Sequence, residues 1–273
     1  MSAAVALGLE ADEAKLVHVS NRLVVRVLPS DVVARVALPT HEAAELEVRL
    51  AARLAATDGP VARLDPRVAP RVYERDGFTI TFWTWYEPQT RRQLPAADYA
   101  DALSRLHVAM NQVDVTTPHF TDRVTEAQLL VRSRDRTPEL ADADRDLLLT
   151  TFDHVMPAIA RRGAAEQLLH GEPHPGNVLD TRDGPLFVDL ETACRGPVEF
   201  DLAHVPTDVS RSYPGIDHEL LDDCRVLVLA MIAAWLSDRE DRFPSGRQAA
   251  RELLAALRAG PPHPALGTIT GLQ

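Results

Sequence analysis

The spacing of apolar residues along this chain changes once, and the change divides it. Residues 16–27 and 32–38 are rich in Val and Leu, with the turn signal Pro29-Ser30-Asp31 between them. That pattern predicts strands joined by a hairpin. Residues 41–56 switch to helical spacing, with Ala43, Leu46, Leu50 and Leu54 on one face, and Asp58-Gly59-Pro60 ends the helix. Residues 71–74 and 78–83 flank Arg75-Asp76-Gly77, a second hairpin signal. The opening stretch therefore predicts a sheet of about four or five strands with one helix packed on it. Beyond Tyr86-Glu87-Pro88 the pattern is helical, over residues 99–110, 138–161, 218–237 and 248–258, with Pro157 expected to kink or end the second. Residues 167–189 read as strand and turn. From Gly260 onward, Pro261, Pro262 and Pro264 predict a loose tail. The expected division is a β-rich lobe over residues 1–86 and a mainly helical lobe over residues 87–273.

Composition narrows the class of partner. A chain of 273 residues with 45% hydrophobic content can bury a sizeable core. The formal net charge of -11 argues against nucleic acid or an anionic membrane as a partner and favours cations by long-range steering. Cys194 and Cys224 lie far apart, which supplies neither a disulfide framework nor a CxxC site and fits a reducing cytoplasm. The first residues lack the positive start and apolar centre of a signal peptide. The longest apolar run, residues 226–236, is too short to span a bilayer. Lys15 is the one lysine among many arginines.

The chemistry concentrates in residues 168–191. Apolar pairs lead into His170-Gly171-Glu172-Pro173-His174-Pro175-Gly176-Asn177, a loop set at the end of a strand. Residues 177–179 and 186–188 then read as hairpin arms joined by Thr181-Arg182-Asp183-Gly184. A hairpin centred near Asp183 sets Asn177 opposite Asp189, with Cβ atoms about 5 Å apart. An amide oxygen and a carboxylate at that distance are hard ligands suited to Mg²⁺, beside the loop that carries Glu172. His-x-Glu-x-His also opens zinc sites, but zinc deaminases need a downstream Pro-Cys-x-x-Cys that Cys194 and Cys224 do not supply.

This segment resembles the catalytic loop of the aminoglycoside phosphotransferase and choline kinase group, which reads roughly His-Gly-Asp-x-His-x-x-Asn. His170-Gly171, His174 and Asn177 match in place, and Asp189-Leu190-Glu191 stands where kinases have Asp-Phe-Gly. Gly196-Pro197 and Asp201-Leu202-Ala203 resemble the stretch that follows. Ser20-Asn21-Arg22 resembles the nucleotide-covering loop, and residues 103–107 resemble the helix before the catalytic loop. Arg35 stands in place of the nucleotide-binding Lys, with Glu47 as its partner. The resemblance spans about residues 17–206.

It implies an α+β, bilobal protein kinase-like fold and transfer of a phosphoryl group from ATP or GTP to a hydroxyl of a small molecule. It implies Glu172 as the base, and Asn177 and Asp189 as Mg²⁺ ligands. Ser20, Asn21, Arg22, Arg35 and Glu47 would serve the nucleotide; His170, His174 and Asp201 would support the loop. Glu191 either binds metal through water or holds the loop. Trp83 and Trp85 read as core, with packing on adenine as the alternative. With the charge balance, the resemblance points to a cationic acceptor such as an aminoglycoside-type antibiotic. Two departures, Glu172 for Asp and Arg35 for Lys, keep a second reading open: an impaired member that binds nucleotide or ligand without turnover.

Overall fold

A computed structural model describes residues 1–19, 22–38, 41–89 and 94–269. In chain order the elements are α1 (Ser2–Ala6), β1 (Ala11–Val19), β2 (Arg22–Pro29), β3 (Val32–Ala37), α2 (His41–Leu54), β4 (Tyr73–Arg75), β5 (Phe78–Thr84) and α3 (Ala96–Met110). They continue as α4 (Phe120–Arg132), α5 (Asp142–Arg162), β6 (Gln167–Leu169), β7 (Val178–Thr181), β8 (Gly184–Phe187) and β9 (Cys194–Gly196). Last come α6 (Val198–Leu202), α7 (Thr207–Ser212), α8 (His218–Trp235) and α9 (Gly246–Ala259). The chain packs as two compact units, Met1–Thr117 with Asn177–Ala193, and Pro118–Gly176 with Cys194–Gln273. Packing thus divides the chain elsewhere than at the composition change near Tyr86, since α3 and the β7–β8 hairpin both fall in the first unit.

In the first unit a five-stranded antiparallel sheet runs in the order β1-β2-β3-β5-β4. Alternation along β3 and β5 sends Val32, Ala34, Ile80 and Phe82 to one face, where they pack with Ala4, Leu9 and Val27. Arg35, Thr81 and Trp83 take the opposite face. There Trp83 is buried and donates its indole N–H to the Thr81 hydroxyl at 2.8 Å. Trp85 is half-buried beneath the Arg26 guanidinium, 4.2 Å from its ring centre. Asp76 and Gly77 both have positive φ, 53° and 79°, the backbone a two-residue hairpin turn needs to match strand twist. The β7–β8 hairpin is bonded to the segment after α2: the Ala62 amide donates to the Phe187 carbonyl at 2.9 Å, and the Phe187 amide to Pro60 at 2.8 Å.

In the second unit β6 and β9 form a short antiparallel pair, and α8 packs on α4, α5, α6 and α9. Its core includes Leu148, Phe152, Leu169, Phe200, Leu202 and Leu227. No helix among the described residues is long and apolar enough to cross a membrane.

Several expectations need correction. The run 16–27 is not one strand: β1 begins earlier and β2 starts at Arg22. Pro157 sits inside α5 without ending it, since the helix runs on to Gly163, whose φ of 57° closes it. Leu266 and Ile269 are buried, so the segment after Gly260 is packed as far as it is described. Helices α1 and α4 were not foreseen. In α4, Phe120, Val124, Ala127 and Val131 form a buried face. Its cap is a histidine, His119, which accepts from the Thr121 amide while Asp122 accepts from the His119 amide.

Candidate active site

The hairpin register shifts the expected metal pair by one residue. Val178 pairs with Phe187 and Thr181 with Gly184, so the turn is centred between Arg182 and Asp183. Asn177 then faces Val188, whose amide donates to the Asn177 carbonyl at 3.0 Å. Asp189 is the next residue and leaves the ladder with φ 68° and ψ 67°, a left-handed conformation that is uncommon for a residue with a side chain. Such strain persists only where the surroundings hold it.

The surroundings are arginines. Arg22, at the start of β2, lies 3.2 Å from one Asp189 oxygen, and Arg35 from β3 lies 3.1 Å from the other. Arg35 also pairs closely with Glu47, and Arg22 with Glu191. Arg22 stands 3.7 Å from Glu47. Glu47 is 2% exposed and accepts the Leu190 amide at 3.1 Å, which ties α2 to the backbone just past Asp189. Burial and the neighbouring Arg35 pull Arg22 below its ordinary pKa, against Asp189 and Glu47. Burial opposes the charge of Arg35 too, but Glu47 and Asp189 outweigh it and raise that group. Two guanidinium groups facing three carboxylates leave one excess negative charge. Asp189 and Glu191 present hard carboxylate oxygens beside that residual charge, a donor chemistry that suits a small divalent cation. Among the described residues no group of three or more His, Cys, Asp or Glu side chains is arranged to hold a metal. Ser20 and Asn21 lie outside the described residues.

The second unit carries the loop of Glu172. Asp201, fully buried on α6, accepts the His170 amide at 2.9 Å and the Gly171 amide at 2.8 Å. His170 is fully buried, and its Nδ1 accepts the Glu172 amide at 3.3 Å. The His174 amide donates to the Glu172 carbonyl at 2.8 Å, and the His174 ring accepts the Gly176 amide at 3.1 Å. A Cβ at Gly176 would stand 2.9 Å from that ring, which explains the glycine.

Two groups at Glu172 escaped the sequence reading. Arg123, on the first turns of α4, pairs closely with the Glu172 carboxylate and donates to the Gly171 carbonyl at 3.1 Å. His204 is buried, and its Nδ1–H donates to the Phe200 carbonyl at 2.9 Å. Burial pushes the Glu172 carboxyl up, but the Arg123 guanidinium is the largest opposing influence, and the group is held below the usual glutamate value. Burial lowers His204 to about 4 despite the carboxylates of Glu172 and Asp201. So His204 is neutral and Glu172 ionised near neutral pH. Nothing in the sequence linked Arg123 to Glu172, 49 residues further on.

The chain belongs to the phosphotransferase enzyme family, whose profile matches residues 6–223. Serine/threonine protein kinase RdoA of Salmonella typhimurium is 32% identical over 112 residues, 38% of this chain and 34% of that protein. The chain thus spans about a third of the length of the curated relatives it matches. Two solved structures share the fold at low identity. The amicoumacin kinase hAmiN, in complex with AMP-PNP, Ca²⁺ and Ami, has a TM-score of 0.69 at 11% identity, covering 92% of this chain and 89% of that one. The choline kinase LicA from Streptococcus pneumoniae has a TM-score of 0.67 at 12% identity, covering 95% and 97%. The expected α+β, protein kinase-like class and the resemblance to aminoglycoside phosphotransferases and choline kinases are borne out.

Proposed function

We propose that this chain transfers the γ-phosphoryl group of ATP or GTP to a hydroxyl of a cationic small molecule. Residues 1–86 cover the nucleotide in this reading, and the helical part of the chain carries the acceptor. Arg35 and Arg22 exchange their carboxylate partners for phosphate oxygens, which a planar guanidinium can bind in pairs. Asn177 and Asp189 would hold Mg²⁺, which when bound neutralises phosphate charge. Glu172 orients the acceptor hydroxyl and takes its proton as the new O–P bond forms and the bond to the β-phosphate oxygen breaks. The phosphoryl-transfer transition state is loose, so catalysis rests on positioning and charge, and a weakly basic, ionised carboxylate suffices.

The observation that carries this reading is the Glu172 loop. Asp201 holds two of its amides from a fully buried position while the Glu172 side chain stays a quarter exposed, at 26%. A groove of about 520 Å³ in the second unit supports the acceptor class. It joins the apolar Leu129, Leu130 and Trp235 to Glu126, Asp238 and Arg136, and Arg136 pairs with Asp238, so one carboxylate is in excess. An apolar wall with one carboxylate in excess suits an amine-bearing body. The test is a panel of hydroxylated amines, neutral sugars and a serine peptide, incubated with the protein and Mg-ATP. A mass gain of one phosphoryl group on an amine is the expected result; preference for a neutral sugar or the peptide refutes the cationic class. The impaired-binder reading is favoured by one observation, the engagement of Glu172 by Arg123. Nucleotide binding with no transfer to any acceptor would establish it.

A further inference from the structure

Glu172 carries one methylene more than the aspartate of the family pattern, roughly 1.5 Å of added reach and one more rotor. The loop backbone is restrained on both sides of it, by Asp201 before and by the His174 amide after. Neither contact restrains the side chain. Arg123 does, through two donors of one guanidinium: one nitrogen reaches the Gly171 carbonyl and another the Glu172 carboxylate. The guanidinium is itself fixed, with its carbon 4.9 Å from the ring centre of Trp235 on α8, and it is 13% exposed. The planar fork of an arginine transmits that orientation to whatever it binds, whereas a lysine ammonium would not.

We propose that Arg123 is a positioning residue for Glu172, matched to the longer side chain, with Trp235 as its support; this rests on Glu172 being the base. Arg123 draws the carboxylate back toward its own loop and offsets the added length. The electrostatics agree, since Arg123 is the largest of the influences that keep Glu172 ionised against its burial. A consequence reverses what the family pattern implies. Glu172→Asp would shorten the side chain away from Arg123, so it lowers turnover here instead of restoring it.

The test uses the full chain with ¹³C-labelled glutamate, the Glu172 carboxyl signal being assigned by its loss in Glu172→Gln. Turnover is read as ADP release from Mg-ATP, with water as the acceptor. In Arg123→Gln the Glu172 carboxyl titrates about 1–3 units higher, the range expected on losing an adjacent opposite charge. In Arg123→Lys the cation remains, so the titration stays nearer wild type. Turnover nevertheless falls about a hundredfold, as for a base displaced by about 1 Å. Thermal unfolding of each variant is followed in parallel, and Arg123→Lys serves if Arg123→Gln does not fold. An unmoved titration in Arg123→Gln, or wild-type turnover in Arg123→Lys, overturns the proposal. Wild-type turnover in Glu172→Gln overturns the base assignment instead, and where wild type releases no ADP to water the titration alone decides whether Arg123 controls Glu172.

Discussion

Lowering the pH should destabilise this protein through one histidine before most carboxylates titrate. His204 is 2% exposed, and burial holds it at about 4 against an unfolded value of about 6.5. Its folded pKa is depressed, so its contribution is fully present above about pH 6.5 and is lost as the pH falls toward about 4. In that interval the unfolded chain binds the proton and the folded chain does not. A gap of about 2.5 units at 1.36 kcal/mol each is worth roughly 3 kcal/mol in total, of which about 2 kcal/mol falls between about pH 7 and pH 5. Glu172 stays ionised over this window because Arg123 holds it low, so it adds no titration of its own. The assay is urea unfolding followed by tryptophan fluorescence at several pH values, for wild type and His204→Gln. The variant loses the hydrogen bond to the Phe200 carbonyl and is less stable at neutral pH. Its further loss between about pH 7 and pH 5 should be smaller than that of wild type by about 2 kcal/mol, because the remaining groups are common to both. Equal losses in the two proteins would refute the argument.

Three further outcomes can be checked. Asp189→Ala should abolish metal-dependent nucleotide binding while leaving the fold intact; calorimetry showing unchanged Mg-nucleotide affinity would falsify the metal assignment. Asp201→Asn presents an amide nitrogen to one of two buried N–H donors, those of His170 and Gly171, and should cost about 1–3 kcal/mol in denaturant unfolding with a loss of turnover. Affinity for a cationic acceptor should fall as ionic strength rises from about 0.01 M to 0.15 M, where the screening length shrinks from about 30 Å to 8 Å; salt-independent binding would remove the electrostatic argument.

What the sequence made legible, and what it hid, separates along one physical line. Contacts between near neighbours leave periodic or punctuating signals. The strands β2 and β3 about Pro29-Ser30-Asp31, the turn at Asp76-Gly77 and the hairpin at Arg182-Asp183 could all be read from the chain. The register of that last hairpin was not fixed to the residue: Thr181 pairs with Gly184, which centres the turn between Arg182 and Asp183 and not on Asp183. One step in register exchanged Asp189 for Val188 opposite Asn177. Contacts across long separations leave no such trace. Arg123 meets Glu172 across 49 residues, and Arg22 meets Asp189 across 167. A chain with one lysine and many arginines gives no reason to single out either guanidinium. Only family resemblance pointed to Arg22, and nothing pointed to Arg123. The same long-range pairing answers the two departures from the family pattern. An arginine at 35 can keep both Glu47 and Asp189 because a guanidinium has several donors to divide between them, as a lysine point charge could do less well. A glutamate at 172 is longer than the pattern, and the residue that meets its carboxylate is again an arginine, one whose fork also grips the backbone beside it. Each substitution looks like a defect when it is read alone along the chain. In the folded protein each has a partner of matching shape.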